Sequence, residues 1–119
     1  MNEPARLSAD GPLRHWELHV EDCGDRVRIT AAGELDLATA SQLDAALTEA
    51  EGVARRVEVD LRALTFMDSS GINLLMRHAG RARGDLTLVI VPPPPRVARV
   101  LDVAGVTDLL PLVDGSDGA

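Results

Sequence analysis

The segment from Thr65 to Gly71 most constrains the fold, because one structural period gives way to another across it. Upstream, apolar and charged residues alternate from Val57 to Leu61, which is the period of a half-buried strand. Downstream, apolar residues recur at the spacing of a core-facing helix, at Ile72, Leu75, Met76 and Ala79. The sequence therefore predicts a strand that passes directly into a helix. At the junction, Asp68, Ser69 and Ser70 have short polar side chains that can cap the unpaired N–H groups of that helix.

Periodicity along the rest of the chain predicts an α/β domain. Alternating residues on both sides of a polar turn at 22–25 indicate an N-terminal β-hairpin, and three alternations of strand and helix follow. This order predicts a mixed, mostly parallel sheet of four to five strands, with helices packed against it. The run from Leu86 to Val91 is continuously apolar, so we expect it to be a central strand. Leu109 to Val113 indicates a last strand, which Pro111 places at an edge.

Two patterns bear on what the helices expose. Thr39 followed by Gln42 predicts a capping box, so that Asp36 is not needed as the cap of the first helix. Asp36 then forms either an Asx turn or a contact with a partner, and the residues leave both open. Leu74 falls opposite the apolar stripe of its helix, and we expect it to be exposed at the edge of a partner surface. Basic residues near the end of that helix are expected to face solvent and the helix dipole: Arg77, His78, Arg81 and Arg83.

Length, charge and cysteine content exclude several classes of function. The 119 residues fit one domain, which we place at 13–113 between a flexible leader at 1–12 and a polar tail at 114–119. A net charge of −7 argues against nucleic acid as a partner. The single cysteine, Cys23, allows neither a disulfide framework nor a metal-ligand spacing. No segment has the features of a signal peptide or a membrane span, so we expect a soluble, cytoplasmic protein without metal, cofactor or membrane partner.

Two short motifs resemble those of the anti-sigma factor antagonists of the STAS superfamily. They are Phe66-Met67-Asp68-Ser69-Ser70-Gly71 and, earlier in the chain, Gly33-Glu34-Leu35-Asp36. The resemblance extends from about Trp16 to Val113 and implies a STAS-like fold. In that family the first serine after the aspartate is phosphorylated, which implies that Ser69 is the modified residue here.

The resemblance also implies a function in partner switching. The unmodified antagonist would bind an anti-sigma factor that is also a serine kinase, and would thereby release the sigma factor. Phosphorylation of Ser69 would end that binding until a protein phosphatase restored it. Asp36 and Asp68 would position the serine and help to engage the kinase, and Ser70 and Gly71 would shape the start of the helix. Many family members close with a further helix, and the sequence leaves open what covers the last strand here.

Two alternatives stand beside the phosphorylation switch. A STAS module that is never phosphorylated would act as a scaffold or as a subunit of a lipid-transport assembly. A serine hydrolase is disfavoured because the sequence has no Gly-x-Ser-x-Gly motif, and because His78 lies on the same helix as Ser69 and faces away from it. We therefore expect a regulatory protein without enzymatic activity.

Overall fold

A computed structural model describes residues 15–113 of the chain. Its strands are β1 (Trp16–Asp22), β2 (Arg26–Leu35), β3 (Arg56–Met67) and β4 (Thr87–Val91). Its helices are α1 (Leu37–Val53), α2 (Ser69–Arg81) and α3 (Pro95–Ala104), followed by a short 3₁₀ helix (Thr107–Leu109). The leader and tail predicted at 1–12 and 114–119 lie outside the described residues.

The four strands form one sheet in the order β1-β2-β3-β4. β1 and β2 are an antiparallel hairpin, whereas β2, β3 and β4 run parallel. Gly24 closes the hairpin, because its positive φ of 90° and its N–H bond to the Asp22 carboxylate (3.0 Å) suit a tight reversal. The predicted class, a mixed and mostly parallel sheet with an N-terminal hairpin and packed helices, is confirmed.

The core lies where the helices pack on the sheet. Alternate residues of β2 are buried from Val27 to Leu35, and α1 adds Leu43 and Leu47 to the same cluster. On α2 the predicted stripe is buried at Ile72 and Leu75. Each large aliphatic side chain that is fully buried stabilises the fold by about 1.5–3 kcal/mol. This packing holds the carboxyl ends of β2 and β3 in place, and those ends carry the candidate site.

β4 is the outermost strand of the sheet, so the expectation that Leu86 to Val91 is central was wrong. Residues 88–91 are all buried, which explains the continuous apolar run. A continuously apolar run indicates that both faces of a strand are covered. It does not indicate how many strands lie beside it. The predicted last strand is reduced to one parallel bridge between Ile90 and Leu112, since residues 107–109 form the 3₁₀ helix instead.

α3 follows its sequence signals closely. It begins at Pro95, which has no N–H to leave unpaired, and it ends at Ala104, just before the C-cap Gly105, whose φ of 75° is left-handed. None of the helices within residues 15–113 is long and apolar enough to cross a membrane.

Candidate functional site

The candidate site lies at the carboxyl ends of β2 and β3. Leu35 and Met67 are paired across the two parallel strands, and the Asp68 N–H donates to the Leu35 carbonyl at 3.2 Å. Each strand is followed at once by an aspartate, Asp36 or Asp68, and each aspartate begins a helix. Since neighbouring strands lie about 5 Å apart, the two aspartates start adjacent helices at one edge of the sheet.

Asp36 is the N-cap of α1. Its Oδ1 accepts hydrogen bonds from the N–H groups of Ala38 (3.0 Å) and Thr39 (3.1 Å). The Asp36 N–H donates to the Thr39 hydroxyl at 2.9 Å, which completes a capping box. The prediction that Thr39 is the cap was wrong, because the helix already begins at Leu37. Thr39 is buried in the first turn, where its hydroxyl donates to the Glu34 carbonyl at 2.7 Å.

Asp68 caps α2 and leaves Ser69 accessible. The Asp68 Oδ1 accepts a hydrogen bond from the Ser70 N–H at 2.9 Å. Ser69 is the first residue of the helix and is exposed, whereas Ser70 is half-buried. Within residues 15–113 the Ser69 hydroxyl has no hydrogen-bond partner. This exposed hydroxyl therefore lies at the positive end of a helix, where a negative charge is favoured.

Gly71 is buried where the first turn of α2 meets the strand ends. A Cβ on this residue would lie 2.8 Å from Leu35 Cδ2 and 2.8 Å from Met67 Cγ. Both distances are well inside the optimal carbon–carbon separation of about 3.5–4.0 Å. Glycine thus allows α2 to start this close to β2 and β3, and it sets the position of Ser69 above the sheet edge.

Leu74 is buried, so the prediction that it is exposed was wrong. Only 1% of its surface is accessible, and it belongs to the core cluster. The reason is that α2 has a second buried face. One turn further along that face, His78 bonds to Asp44 and Glu51 of α1, so α1 covers this side of α2. Leu74 offers no surface to a partner.

His78 was predicted to face solvent, but its ring is fully buried between two acids of α1. Its Nε2 lies 2.6 Å from Asp44 Oδ1, and its Nδ1 lies 2.6 Å from Glu51 Oε2. A ring nitrogen that carries a proton donates to the carboxylate beside it, because an ionised carboxylate only accepts hydrogen bonds. The ring thus bridges Asp44 and Glu51 and ties α1 to α2.

Two arginines complete the cluster around His78. Arg77 lies 3.5 Å from Asp44, and Arg81 lies 3.4 Å from Glu51. The hydrogen bond from His78, aided by the charge of Arg77, holds the pKa of Asp44 below its ordinary value. The acids that neutralise this helix face are more than 25 positions away in the chain, which is why the sequence pattern of α2 alone did not reveal them.

A second buried charge lies on β3 within the sheet. Asp60 bonds to Arg62 Nη2 at 2.8 Å and to Arg28 Nη2 at 2.9 Å. Burial raises the pKa of this carboxyl, but the hydrogen bonds from Arg62 and Arg28 outweigh that effect and lower the pKa to about 2. Asp60 thus cross-links β2 and β3 well before their carboxyl ends.

Exposed apolar residues and a groove adjoin the site. Leu37 is 80% exposed at the start of α1, and Phe66 is 46% exposed near the end of β3. Ser69 lines an open groove of about 490 Å³. The other lining residues are Ile72 of α2 and one side of α3, namely Arg96, Arg99, Val100, Val103 and Ala104. No local sequence pattern indicates this groove, because β4 lies between its two helices in the chain.

Comparison with known proteins gives the same family as the site motifs. The family model described as "Mlab, STAS domain" matches residues 18–113. An anti-sigma-B factor antagonist of Staphylococcus epidermidis is 29% identical over 96 residues, which cover 78% of this chain and 88% of that relative.

Solved structures show the same fold. An anti-sigma factor antagonist from Mycobacterium paratuberculosis has a TM-score of 0.77 at 23% identity, covering 87% of this chain and 90% of that one. The unphosphorylated anti-sigma factor antagonist SpoIIAA has a TM-score of 0.63 at 26% identity, covering 84% and 87%. The phosphorylated form of SpoIIAA, a Bacillus cell fate determinant, has a TM-score of 0.58 at 26% identity, covering 84% and 90%. The family model matches residues 18–113, which are most of this chain. This chain therefore belongs to the STAS domain family.

Proposed function

We propose that this protein is an anti-sigma factor antagonist whose binding is switched by phosphorylation of Ser69. The unmodified form binds an anti-sigma factor serine kinase and so releases the sigma factor. Phosphorylation of Ser69 by that kinase ends the binding, and a protein phosphatase restores it, all in the cytoplasm. This chain is the substrate in both reactions, and it is not itself an enzyme. The observation that carries the proposal is the exposed Ser69 hydroxyl at the first position of α2, directly after the capping Asp68.

The relatives support this function. Curated relatives from two Staphylococcus species are anti-sigma-B factor antagonists. SpoIIAA, which is an anti-sigma factor antagonist, has been solved in both its unphosphorylated and its phosphorylated form. A reversible modification of that kind requires a hydroxyl that a visiting kinase can reach, and Ser69 meets this requirement.

The surface around Ser69 suits a protein partner. Leu37 and Phe66 supply exposed apolar area, and the half-buried Asp36 and Asp68 supply negative charge near the serine. A phosphate adds a charge of about −1.5 to −2 to this surface, on a chain whose net charge is already −7. If charge repulsion and the bulk of the phosphate together cost about 3 kcal/mol of binding free energy, binding weakens on the order of 100-fold. A change of this size is sufficient for a switch.

The direct test is phosphorylation in vitro. The protein is incubated with its cognate anti-sigma factor kinase, ATP and Mg²⁺, and the modified residue is identified by mass spectrometry. We expect one phosphate, on Ser69. Ser70→Ala is the matched control, because it removes the adjacent hydroxyl and leaves its N–H bond to Asp68 in place. Phosphate on Ser70 instead, or no phosphate at all, would contradict the proposal.

Binding to the same partner separates the switch from a passive scaffold. Ser69→Ala is expected to bind the partner within about twofold of the parent. Ser69→Asp is expected to bind at least about tenfold more weakly than the parent. This loss is smaller than the loss of about 100-fold expected for the phosphate, because a carboxylate carries less charge than a phosphate. Equal binding by both variants would favour a STAS module that is never phosphorylated. Isothermal titration calorimetry measures the two constants directly.

A further inference from the structure

Arg96 and Arg99 of α3 share the groove of about 490 Å³ with Ser69. Both arginines are exposed, and neither has an ion pair within residues 15–113. On the α2 side of the groove lies Ser69, whose hydroxyl has no hydrogen-bond partner within the described part of the chain. One wall of the groove is thus cationic, and the proposed modification site lies on the other.

The position of Arg96 is electrostatically unfavourable in the unmodified protein. It lies in the first turn of α3, which contains no acidic residue, and the helix has no side-chain cap. A cation near the positive end of a helix is destabilising, and Arg99 adds a second positive charge one turn later. An anion in the groove would therefore be attracted by the two guanidinium groups together.

We propose that Arg96 and Arg99 form the binding site for the phosphate of phosphorylated Ser69, an inference that rests on the proposed function. The phosphate needs no outside source, because it is attached to a residue that already lines the groove. Guanidinium groups bind phosphate oxygens in bidentate, charge-assisted hydrogen bonds. The modified serine then bridges α2 and α3 and occupies the groove. Modification therefore changes the shape of the face as well as its charge, because it fills a groove whose lining includes the exposed Val103.

The test uses full-length protein with phosphoserine inserted at position 69 during translation, so that no kinase is required. Its ³¹P NMR signal is followed through a pH titration in the parent, in R96Q/R99Q and in R26Q/R83Q. The last variant is the matched control: it removes the same number of positive charges from exposed residues at the start of β2 and after the end of α2, at the far end of the fold.

We expect the parent phosphate to lose its second proton at a pH about 0.5 to 1 lower than in R96Q/R99Q, because nearby cations favour the dianion. The control is expected to stay within about 0.2 pH of the parent, since surface charges further than a Debye length of about 8–10 Å are screened. Equal midpoints in the parent and R96Q/R99Q would overturn the proposal, as would an equal shift in the control.

A binding measurement distinguishes this site from a docking surface for the kinase. If R96Q/R99Q weakens binding of the unmodified protein and leaves the phosphate titration unchanged, the arginines bind an acidic segment of the partner and the proposal is wrong. Failure of the kinase to modify Ser69 would count against the proposed function instead. The titration of the translated phosphoserine would still decide whether the two arginines bind it.

Discussion

Gly71→Ala tests how the fold positions the candidate site. The added Cβ would lie 2.8 Å from Leu35 Cδ2 and 2.8 Å from Met67 Cγ, and Leu35 has no exposed surface into which it could move. Overpacking of this kind costs about 1–3 kcal/mol. Alanine also favours a helix over glycine by about 1 kcal/mol, which masks part of that cost. The expected net change is therefore a loss of about 0 to 2 kcal/mol.

Gly80→Ala is a matched control in the same helix. A Cβ at Gly80 meets nothing within 4 Å, so the variant gains the helix preference without any clash. We expect Gly80→Ala to be more stable than the parent by about 0.5–1 kcal/mol. Because the two variants share the same chemical change, their difference of about 1–3 kcal/mol isolates the packing cost at Gly71.

Urea unfolding followed by circular dichroism measures this difference, and the rate of Ser69 phosphorylation gives a second comparison. Gly71→Ala is expected to unfold at lower urea than Gly80→Ala and to be a poorer kinase substrate, because the first turn of α2 must move away from the strand ends. Equal stability of the two variants would refute the reasoning that close approach of α2 requires glycine.

The remaining predictions concern a cap and two buried charges. Asp36→Ala is expected to lose about 1 kcal/mol in urea unfolding and Asp36→Ser less than about 0.5, since serine also caps a helix; equal losses would exclude the capping role. Because the folded-state pKa of Asp60 is about 2 against an ordinary 3.8, its stabilisation is present above pH 4 and is lost as the pH falls towards 2. The parent should therefore lose about 1–2 kcal/mol more than Asp60→Asn over that range, and parallel pH profiles would contradict this. His78→Leu leaves Glu51 buried opposite an apolar group and is expected to cost about 3 kcal/mol at pH 7, part of which His78→Leu/Glu51→Gln restores; a cost below about 1 kcal/mol would contradict the role of His78 as the buried partner of Glu51.

Features that depend on neighbours in the chain could be predicted from the sequence. The strand-to-helix junction at 65–71, the hairpin and both ends of α3 follow from periodicity, turn glycines and a proline at the first helical position. Asp36 shows the limit of this local reasoning. Asp36 and Thr39 are both good caps, since Asp36 can lead a capping box with Thr39 and Thr39 can lead one with Gln42. In the structure Asp36 is the cap. Thr39 lies inside the first turn, where its hydroxyl donates to the Glu34 carbonyl.

Features that depend on a distant helix could not be predicted in this way. The sequence of α2 predicts that the face with Leu74 and His78 is exposed to solvent. In the structure α1 covers this face, and its Asp44 and Glu51 bond to His78. Two acids seven residues apart on α1 form a stripe two turns long, and this complementary pattern is the signal that could have indicated the pairing.

The pairing of α1 with α2 also changes which residues can form the apolar part of a partner surface. With Leu74 buried, the exposed apolar side chains that adjoin the two aspartates in the chain are Leu37 and Phe66. These residues lie beside Asp36 and just before Asp68, at the ends of two strands that the core holds in fixed register. His78 of α2 bonds to Asp44 and Glu51 of α1, and the strands that precede the two helices are paired, so the start of α1 and the start of α2 lie side by side. Under the proposed function, a phosphate on Ser69 therefore changes binding at a surface that the unmodified fold already presents.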